Sequence, residues 1–358
     1  MGSWLQDALS AVPPREHVSS TVLSVVKSRL SWLTKRSMAI ATASAVSLVC
    51  LYFLFRQDHF TQQSLAPPPR PNAISHAKVQ QCAQGHEDVS DSRIWRKSIS
   101  KYRNLMDDKF TIAIQTYQRP DRLNSTLSLL LGTEIPSLHE IVIIWNEIET
   151  QPPPDFMSDR NVTVRYRVSQ KNSLNEKLRP DADYRTKAIL LSDDDVHYDP
   201  ADLDFVFQTW REQGQDRLTG AFARCATVND AGKWVYSLCA KQSEYSMILT
   251  GLSFVHISFL EYYSSADPLM TDIRDYVDAN FNCEDIALNF VVSMLACTGP
   301  LQVSGLTKPV NEMPPQGISR TPGHMDRRHR CVNEFVDYFG YMPLVHTTGY
   351  VTRGMIRG

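Results

Sequence analysis

The stretch that decides the fold is residues 187–200, which read KAILLSDDDVHYDP. Its first six residues form a mostly apolar run, as in a strand of a sheet that is covered on both faces. Three aspartates follow directly, and a few residues later Asp199 and Pro200 are suited to be the N-cap and first residue of a helix. The stretch therefore predicts a buried strand that ends in carboxylates and is followed by a helix.

Three earlier runs have the same character, namely residues 110–115 (FTIAIQ), 140–145 (EIVIIW) and 162–168 (VTVRYRV). A helix is expected after the first of them, beginning near Pro120. Strands that alternate with helices indicate an α/β fold, with helices flanking a mixed central sheet. Ligands of such sheets bind at the carboxyl ends of the strands, so the loops there are expected to form the site.

Asp193, Asp194 and Asp195 place three carboxylates in one turn, where they repel one another. A hard divalent cation with oxygen ligands, Mn²⁺ or Mg²⁺, would offset this repulsion and could bridge to a diphosphate. A solvated acidic turn, supported by the N-terminus of the following helix, is the competing explanation. The triplet by itself favours neither explanation, whereas its place at the mouth of an α/β sheet favours a bound cation.

A second acidic pair, Glu284 and Asp285, begins an apolar helical pattern. The helix dipole explains the pair without any chemistry, although a carboxylate there could also orient a hydroxyl or stabilise an oxocarbenium-like transition state. A disulfide between Cys283 and Cys331 is a hypothesis that would join this pair to a basic segment. The basic segment consists of Arg320, His324, Arg327, Arg328, His329 and Arg330. A solvated positive face explains most of these residues, while an arginine among them could bind a diphosphate.

The N-terminal part predicts a membrane anchor. Residues 38–55 carry no charge, and at ~1.5 Å per residue they span about 27 Å, enough for a thin bilayer. Basic residues precede them, which leaves residues 1–37 in the cytosol and the rest of the chain in the lumen. Residues 56–103 predict a polar stem and residues 104–358 a lumenal domain. This organisation is that of a single-pass type II protein of the Golgi membrane or the endoplasmic reticulum.

Other features agree with a secretory compartment and narrow the class of protein. Asn124 and Asn161 begin N-glycosylation sequons, and the cysteines could pair in an oxidising lumen. The 37 basic and 39 acidic residues nearly cancel, which argues against nucleic acid as a partner. No cysteine or histidine spacing suits structural zinc.

Seven segments, in this order, resemble the exostosin family, glycosyltransferase family 64. The match covers roughly residues 104–358 and is similar in extent to the small exostosin-like α-1,4-N-acetylhexosaminyltransferase type, without the first catalytic domain of the long exostosins. The segments are FTIAIQTYQRPDRL (110–123), IVIIWNE (141–147) with the prolines after it, NSLNEKLRP (172–180), AILLSDDDV (188–196), YSMILTGLSF (245–254), NCEDIALNF (282–290), and GHMDRRHRCVNEF (323–335) with GYMPLV (340–345).

The resemblance implies a GT-A fold, a Mn²⁺ ion and a retaining transfer from a nucleotide sugar. By the match, Asp195 would bind the metal, while Asp193 and Asp194 would contact ribose and sugar. Asp285 would be the catalytic carboxylate, and Arg328 would lie near the diphosphate. The other donor-binding residues implied by the match are Gln115, Tyr117 and Arg119 near the base, and Asn146, Asn172 and Lys177 in the nucleotide and donor pocket.

Two residues depart from the family's pattern. Lys177 stands where the family usually has arginine, and Glu284 stands where many members have aspartate. The charge is kept at both positions, so activity is still expected.

The function expected is transfer of an N-acetylhexosamine from a UDP-sugar to a glycan or glycolipid acceptor. A mannosyl- or glucosaminyl-type transferase acting on a glycosphingolipid headgroup is one alternative. A non-catalytic protein that binds glycans or nucleotide sugars and assists another transferase is the other. Whether the chain forms a homodimer is left open.

Overall fold

The computed structural model of the protein describes residues 93–239, 244–312 and 317–354. The predicted anchor at residues 38–55 lies outside these ranges, as do the predicted cytosolic tail and most of the stem. No helix within the three ranges is long and apolar enough to cross a bilayer.

The last residues of the predicted stem belong to the folded domain. Arg93–Lys101 form helix α1, and Trp95 in it stacks on Phe259 with 5.2 Å between ring centroids. Just after the helix, the hydroxyl of Tyr102 donates a 2.6 Å hydrogen bond to Glu261. The domain therefore begins before residue 104, in a polar segment whose few apolar residues gave no helical period.

All four strands that the sequence predicts are present, with somewhat different ends. They are β1 (Met106–Thr116), β2 (Leu138–Trp145), β4 (Thr163–Val168) and β5 (Thr186–Asp193). β1 pairs in parallel with β2 and with β5, and β2 pairs in parallel with β4. Their carboxyl ends therefore lie at one edge of the sheet.

The sequence did not predict the remaining strands, most of which have two to five residues and so carry little periodic pattern. They are β3 (Phe156–Met157), β6 (Val196–His197), β7 (Thr219–Gly220), β8 (Ala223–Val228), β9 (Trp234–Ser237), β10 (Met247–Ile248), β11 (Leu252–His256), β12 (Leu301–Ser304), β13 (Val310–Asn311) and β14 (Tyr350–Thr352).

Among the described residues, nine strands form one mixed sheet in the order β14-β12-β7-β11-β5-β1-β2-β4-β3. β11 is antiparallel to both β5 and β7, which makes the sheet mixed as expected. β14 adds an edge strand from the C-terminal segment, for which the sequence predicted nothing. A smaller sheet, β10-β8-β9, and the pair β13-β6 lie outside the main sheet.

Helices flank the sheet, and the two predicted helix starts are confirmed. Pro120 and Pro200 each occupy the first turn of a helix, and the carboxylate of Asp199 accepts a 2.9 Å hydrogen bond from the backbone N–H of Ala201. The helices after α1 are α2 (Pro120–Gly132), α3 (Pro200–Gln213), α4 (Ile257–Tyr263), α5 (Pro268–Asn280), α6 (Glu284–Ala296) and α7 (His324–Phe339).

The alternation of side chains along β1 separates two hydrophobic cores. Phe110, Ile112 and Ile114 pack into the core shared with α2 and α3. Ala113 faces the opposite core, which the later helices fill. Helix α6 is apolar on nearly all sides and lies buried in this second core. Its first turn is therefore held rigidly beside the carboxyl edge of the sheet.

Candidate active site

A cavity of about 770 Å³ lies where β1, β2 and β5 end and where α6 and α7 begin. One side of the cavity is formed by the strand ends and is called the strand wall. The other side is formed by the starts of α6 and α7 and is called the helix wall. Every residue that the sequence predicts for catalysis, donor binding or metal binding lines it, namely Gln115, Tyr117, Arg119, Asn146, Asn172, Lys177, Asp193, Asp194, Asp195, Asp285 and Arg328.

Asp193 ends β5 and bonds to a buried lysine. Its carboxylate lies 2.5 Å from the ammonium of Lys177, and its side chain is 42% exposed. Burial disfavours the charge of Lys177, but the carboxylates of Asp193, Glu284 and Asp285 outweigh burial and raise its pKa. A Cβ atom at Gly251 would lie 2.7 Å from a carboxylate oxygen of Asp193, so a larger residue there would displace this carboxylate. Lys177 therefore keeps a positive charge beside the end of β5 in the cavity.

Asp194 and Asp195 share the guanidinium of Arg119. One nitrogen of Arg119 lies 2.9 Å from each of the two carboxylates. Asp194 also accepts a 2.7 Å hydrogen bond from the hydroxyl of Thr116. Burial is the main cause that raises the pKa of Asp194 to about 6, and burial followed by the charge of Asp193 raises that of Asp195. The triplet is thus partly buried and offset by cations, and is not simply a solvated turn.

The predicted amide residues hold the loop that follows β4. The side-chain amides of Gln115 and Asn146 donate to the carbonyl of Ser173 at 2.8 and 2.9 Å. Asn146 also donates to the side chain of Asn172 at 3.3 Å. Tyr117 is 43% exposed beside them. These residues form a polar, hydrogen-bonded floor with an exposed aromatic ring next to it.

The helix wall carries a buried ion pair. The carboxylate of Asp285 bonds to the guanidinium of Arg328, and each side chain is 7% exposed. Burial alone would raise the pKa of Asp285, but Arg328 outweighs it and lowers the pKa. The expected disulfide between Cys283 and Cys331 is present, and it ties the start of α6 to α7. The basic segment and the acidic pair are thereby held at one site.

Sequence reasoning missed Tyr236, which lies on β9 and belongs to none of the segments that carried the resemblance. Its hydroxyl accepts a 2.9 Å hydrogen bond from Arg328, and its ring lies 4.2 Å from the guanidinium carbon. Asn282 accepts a second bond from Arg328 at 3.3 Å. These contacts fix the direction in which Arg328 presents its guanidinium.

A solvated face accounts for only part of the basic segment, because His324, Arg327 and His329 are half-buried. Arg320 and Arg330 are exposed. His329 instead accepts a 3.1 Å hydrogen bond from the backbone N–H of Tyr236, and Asn333 bonds the backbone of Trp234. Helix α7 therefore docks on the edge of β9, which positions Tyr236 against Arg328.

Both sequon asparagines are exposed. Asn124 lies within α2, whereas Asn161 lies in the turn before β4 with a φ of 58°. Thr126, the third residue of the first sequon, is buried and donates to the backbone carbonyl of Asp194 at 2.8 Å. Its hydroxyl therefore supports the triplet, and modification at either asparagine stays a prediction.

The strand-end carboxylates offer oxygen ligands of the kind that divalent cations prefer. Within the described ranges, no group of three or more histidine, cysteine, aspartate or glutamate side chains is arranged to hold a metal. Mg²⁺-like ions, however, are commonly bound by one or two carboxylates together with phosphate oxygens and water. The hard oxygens of Asp193 and Asp195 at the cavity fit such an ion, provided that a diphosphate completes its coordination.

The large mixed sheet flanked by helices, with carboxylates at the ends of its parallel strands, agrees with a GT-A-type fold. Residues 110–355 match the glycosyl transferase family 64 domain. The chain therefore belongs to glycosyltransferase family 64, as the motifs predicted.

Similar proteins include exostosin-like and plant transferase proteins. The "Exostosin-like-3 homolog" of Caenorhabditis elegans is 30% identical over 67% of this chain and 29% of its own length. The "Glycosylinositol phosphorylceramide mannosyl transferase 1" of Arabidopsis thaliana is 30% identical over 67% of this chain and 75% of its own length. The "Glucosamine inositolphosphorylceramide transferase 1" of the same plant is 34% identical over 65% and 30%. The matched region is thus only about a third of the first and third relatives.

Proposed function

We propose that the protein is a retaining glycosyltransferase that moves a sugar from a nucleoside-diphosphate donor to a glycan or glycolipid acceptor, with Mn²⁺ or Mg²⁺. The observation that carries the proposal is that the strand-end carboxylates and the buried Asp285–Arg328 pair line one cavity. A nucleotide sugar has an anionic diphosphate and a reactive sugar. The strand wall offers groups that suit the diphosphate, and the helix wall offers groups that suit the sugar.

The strand wall suits the nucleotide. Tyr117 offers an exposed ring on which a base could stack, and the amides of Gln115 and Asn146 already orient the polar floor. Lys177 and Arg119 supply positive charge for the phosphates. A UDP-sugar is the donor that we favour, as the family resemblance implies.

Asp195 would hold the metal ion, with Asp193 beside it at the mouth of the cavity. When bound, such an ion supplies charge that stabilises a departing diphosphate. Binding would require Arg119 to release one carboxylate. Arg119 would keep Asp194 as a partner, and its side chain is 28% exposed, so its freed hydrogen-bonding capacity could turn to water or to a phosphate.

The helix wall suits the reaction at the sugar. Asp285 is held ionised by Arg328, so it can face positive charge that develops on the sugar ring as its bond to the diphosphate breaks. Arg328 has a buried Nε atom that donates to no described residue. This unused donor favours an anionic or oxygen-rich ligand beside the guanidinium.

The donor sugar is open between three classes. N-acetylhexosamine is our first choice from the family resemblance. The names of two relatives refer to mannosyl transfer and to glucosamine with inositol phosphorylceramide. The alternative is therefore transfer of mannose or a glucosamine-type sugar to a glycosphingolipid headgroup.

The proposal also includes a lumenal location, anchored through residues 38–55 in the membrane of the Golgi or endoplasmic reticulum. The uncharged run and its basic flank support it. Resistance of the full chain to carbonate extraction, together with protection of its C-terminus from protease in sealed vesicles, is the expected result. Gel filtration of the lumenal part would decide between a monomer and a homodimer.

The activity is tested by donor cleavage with residues 57–358 expressed in a secretory host. UDP-N-acetylglucosamine, UDP-N-acetylgalactosamine and GDP-mannose are each incubated with Mn²⁺, with and without chelator. Release of the nucleoside diphosphate from one donor, lost with chelator, is expected. A folded protein that cleaves no donor with any acceptor supplied would contradict the proposal, and metal-dependent binding without cleavage would favour the non-catalytic partner.

A further inference from the structure

The loop that follows β4 carries two of the residues that line the cavity, Asn172 and Lys177. It covers residues 169–178, all of which the structure describes, and ends in a short 3₁₀ helix, Leu174–Leu178. Short 3₁₀ helices have poorer hydrogen-bond geometry than α-helices, so this one contributes little to holding the loop. The positions of Asn172 and Lys177 therefore depend on contacts with neighbouring elements.

Ser173 is the residue at which the loop is held from two sides. On the sheet side, its backbone carbonyl accepts hydrogen bonds from the amides of Gln115 and Asn146 at 2.8 and 2.9 Å. On the helix side, its hydroxyl donates to the carboxylate of Asp278 on α5. Ser173 is only 1% exposed, so water does not compete for these bonds.

Asp278 bonds to three residues of this loop at once. Besides the hydroxyl of Ser173, its carboxylate accepts from the ammonium of Lys171 and, at 2.9 Å, from the side-chain amide of Asn175. Asn175 also accepts a 2.6 Å hydrogen bond from the hydroxyl of Tyr263 on α4. Hydrogen bonds to a charged acceptor are stronger than those between neutral groups. One carboxylate thus gathers three donors from the loop onto α5.

The position of Asp278 within α5 does not by itself favour a carboxylate. It lies in the last turn of the helix, which contains no basic residue, and the helix dipole disfavours negative charge there. The cation and the two neutral donors that offset its charge come from the loop. Asp278 is therefore better explained by its bonds to the loop than by its own helix.

The end of α5 is also connected to the helix wall. Three residues separate α5 from α6, whose first turn carries Asp285. The last of these three, Cys283, is joined to Cys331 on α7 by a disulfide. Through Asp278, the loop is therefore held relative to the helix wall as well as to the sheet.

We propose that Asp278 is a positioning residue for the donor nucleotide: it holds residues 169–178 so that Asn172 and Lys177 meet the bound nucleotide. The described lining of the cavity does not include Asp278, so it acts through the loop and not through contact with a ligand. The inference rests on the proposed function, because it takes the loop as part of the nucleotide site. Without this carboxylate the loop would have to be ordered when the nucleotide binds, and that cost would weaken binding.

The test measures nucleotide affinity apart from turnover. Wild type and Asp278→Ala are titrated by calorimetry with UDP and GDP in the presence of Mn²⁺. For the nucleotide that the wild type binds, the variant should bind at least about tenfold more weakly. At saturating donor, kcat should stay within about twofold of wild type, because the disulfide still holds α6 to α7. A role in folding alone would reduce the amount of folded protein without changing the affinity of the folded fraction.

Three further variants keep the result interpretable. Asp278→Asn keeps one acceptor oxygen, and Ser173→Ala removes one of the three bonds, so each should lose less affinity than Asp278→Ala. The double variant Ser173→Ala with Asp278→Ala should lose less than the product of the two single losses, because the two residues share a bond. Asp275→Ala, at an exposed position of the same helix, is the matched control and should bind as the wild type does.

The outcomes separate the inference from the proposed function. Wild-type nucleotide affinity in folded Asp278→Ala, or a fall in kcat without a fall in affinity, would overturn the inference alone. If Asp278→Ala does not fold, wild-type affinity in both Asp278→Asn and Ser173→Ala would overturn it. A wild type that binds a nucleotide but cleaves no donor would overturn the proposed activity and leave the inference standing. A folded wild type that binds neither UDP nor GDP would overturn both.

Discussion

The two walls of the cavity use the same kinds of charge in different ways. On the strand wall, formed by Asp193–Asp195 with Arg119 and Lys177, two carboxylates share one nitrogen of Arg119. The Arg119 side chain is 28% exposed, against 3% for Asp194 and 12% for Asp195. On the helix wall, formed by Asp285, Arg328 and Tyr236, the ion pair is 7% exposed on each side. A disulfide and an aromatic ring hold the second pair, whereas no disulfide joins the elements of the first among the described residues.

The difference indicates that the two walls have different roles. Arg119 is partly solvated and is divided between two carboxylates, so it can turn from one of them to a ligand more easily than a fully buried partner could. Breaking a buried pair costs about 3–5 kcal/mol, so the helix wall keeps its geometry throughout a reaction. We therefore expect changes on the strand wall to affect binding and changes on the helix wall to affect turnover and stability.

The largest effect is expected from Asp285→Asn. Removal of the charge that faces the reacting sugar should lower kcat by roughly 10³. It leaves Arg328 without its counter-ion, so the free energy of unfolding should fall by about 3–5 kcal/mol. Steady-state kinetics and urea unfolding measure both. The exposed Asp337→Asn on α7 is the control, and a variant with normal kcat would remove Asp285 from the chemistry.

Loss of the disulfide should destabilise the helix wall next. Cys283 and Cys331 are 48 residues apart, and the loop-entropy relation gives about 4 kcal/mol for the double Cys→Ser variant. For the pair Cys225–Cys239, with a separation of 14, it gives about 3 kcal/mol. Denaturant unfolding of both variants tests the order. Unchanged kcat in the first variant would show that α6 and α7 hold Asp285 and Arg328 without it.

On the strand wall, Asp195→Asn should lower kcat/KM by about 100-fold through weaker metal-dependent donor binding. Stability should change less than for Asp285→Asn, because the partly exposed Arg119 keeps Asp194 as a partner. The dependence of rate on Mn²⁺ concentration is the measurement. A variant with the wild-type Mn²⁺ dependence would argue against Asp195 as the metal ligand.

A smaller effect is expected from Tyr236→Phe, which removes the hydroxyl that accepts from Arg328 but keeps the ring. We expect kcat to fall about tenfold, the value for one hydrogen bond to a charged group, with donor affinity unchanged. Tyr338→Phe, at an exposed tyrosine of α7, is the control. A change in donor KM without a change in kcat would place Tyr236 on the binding side instead.

The smallest effect concerns pH. The pKa of Glu284 is raised to about 7 in the folded protein, so the folded state holds its proton more tightly than the unfolded chain. Its contribution to stability is therefore present at pH 4 and is lost as pH rises through 7. Glu284→Gln does not titrate, so it should gain stability relative to wild type between pH 5 and 8. Thermal unfolding over that range gives the difference, and a constant difference would contradict the raised pKa.

The sequence predicted the parallel half of the sheet because its strands are long apolar runs ending in polar residues. β7, with two residues, and β14, in a segment with no apolar period, were not predictable in that way. Their positions depend on pairing with strands distant in sequence. Helix α1, at the end of the predicted stem, was not predictable for a similar reason, since it packs through contacts such as that between Trp95 and Phe259.

The site was more predictable than the fold around it, because charged motifs are visible in the sequence. Asp193–Asp195 and Asp285 were identified as carboxylates in strand-end and helix-start positions. Tyr236 was not, since a tyrosine on a short strand has no distinguishing neighbours. Glu284 was predicted only as one of an acidic pair that the helix dipole explains, and the structure places it in the lining of the cavity.

The most direct test of the two-wall account is a calorimetric titration of the cleaved nucleotide sugar, with Mn²⁺, into folded Asp285→Asn and Asp195→Asn. The account predicts that Asp285→Asn binds the donor within about threefold of wild type without turning it over, and that Asp195→Asn binds it at least about tenfold more weakly. Weak binding by Asp285→Asn together with normal binding by Asp195→Asn would contradict the account.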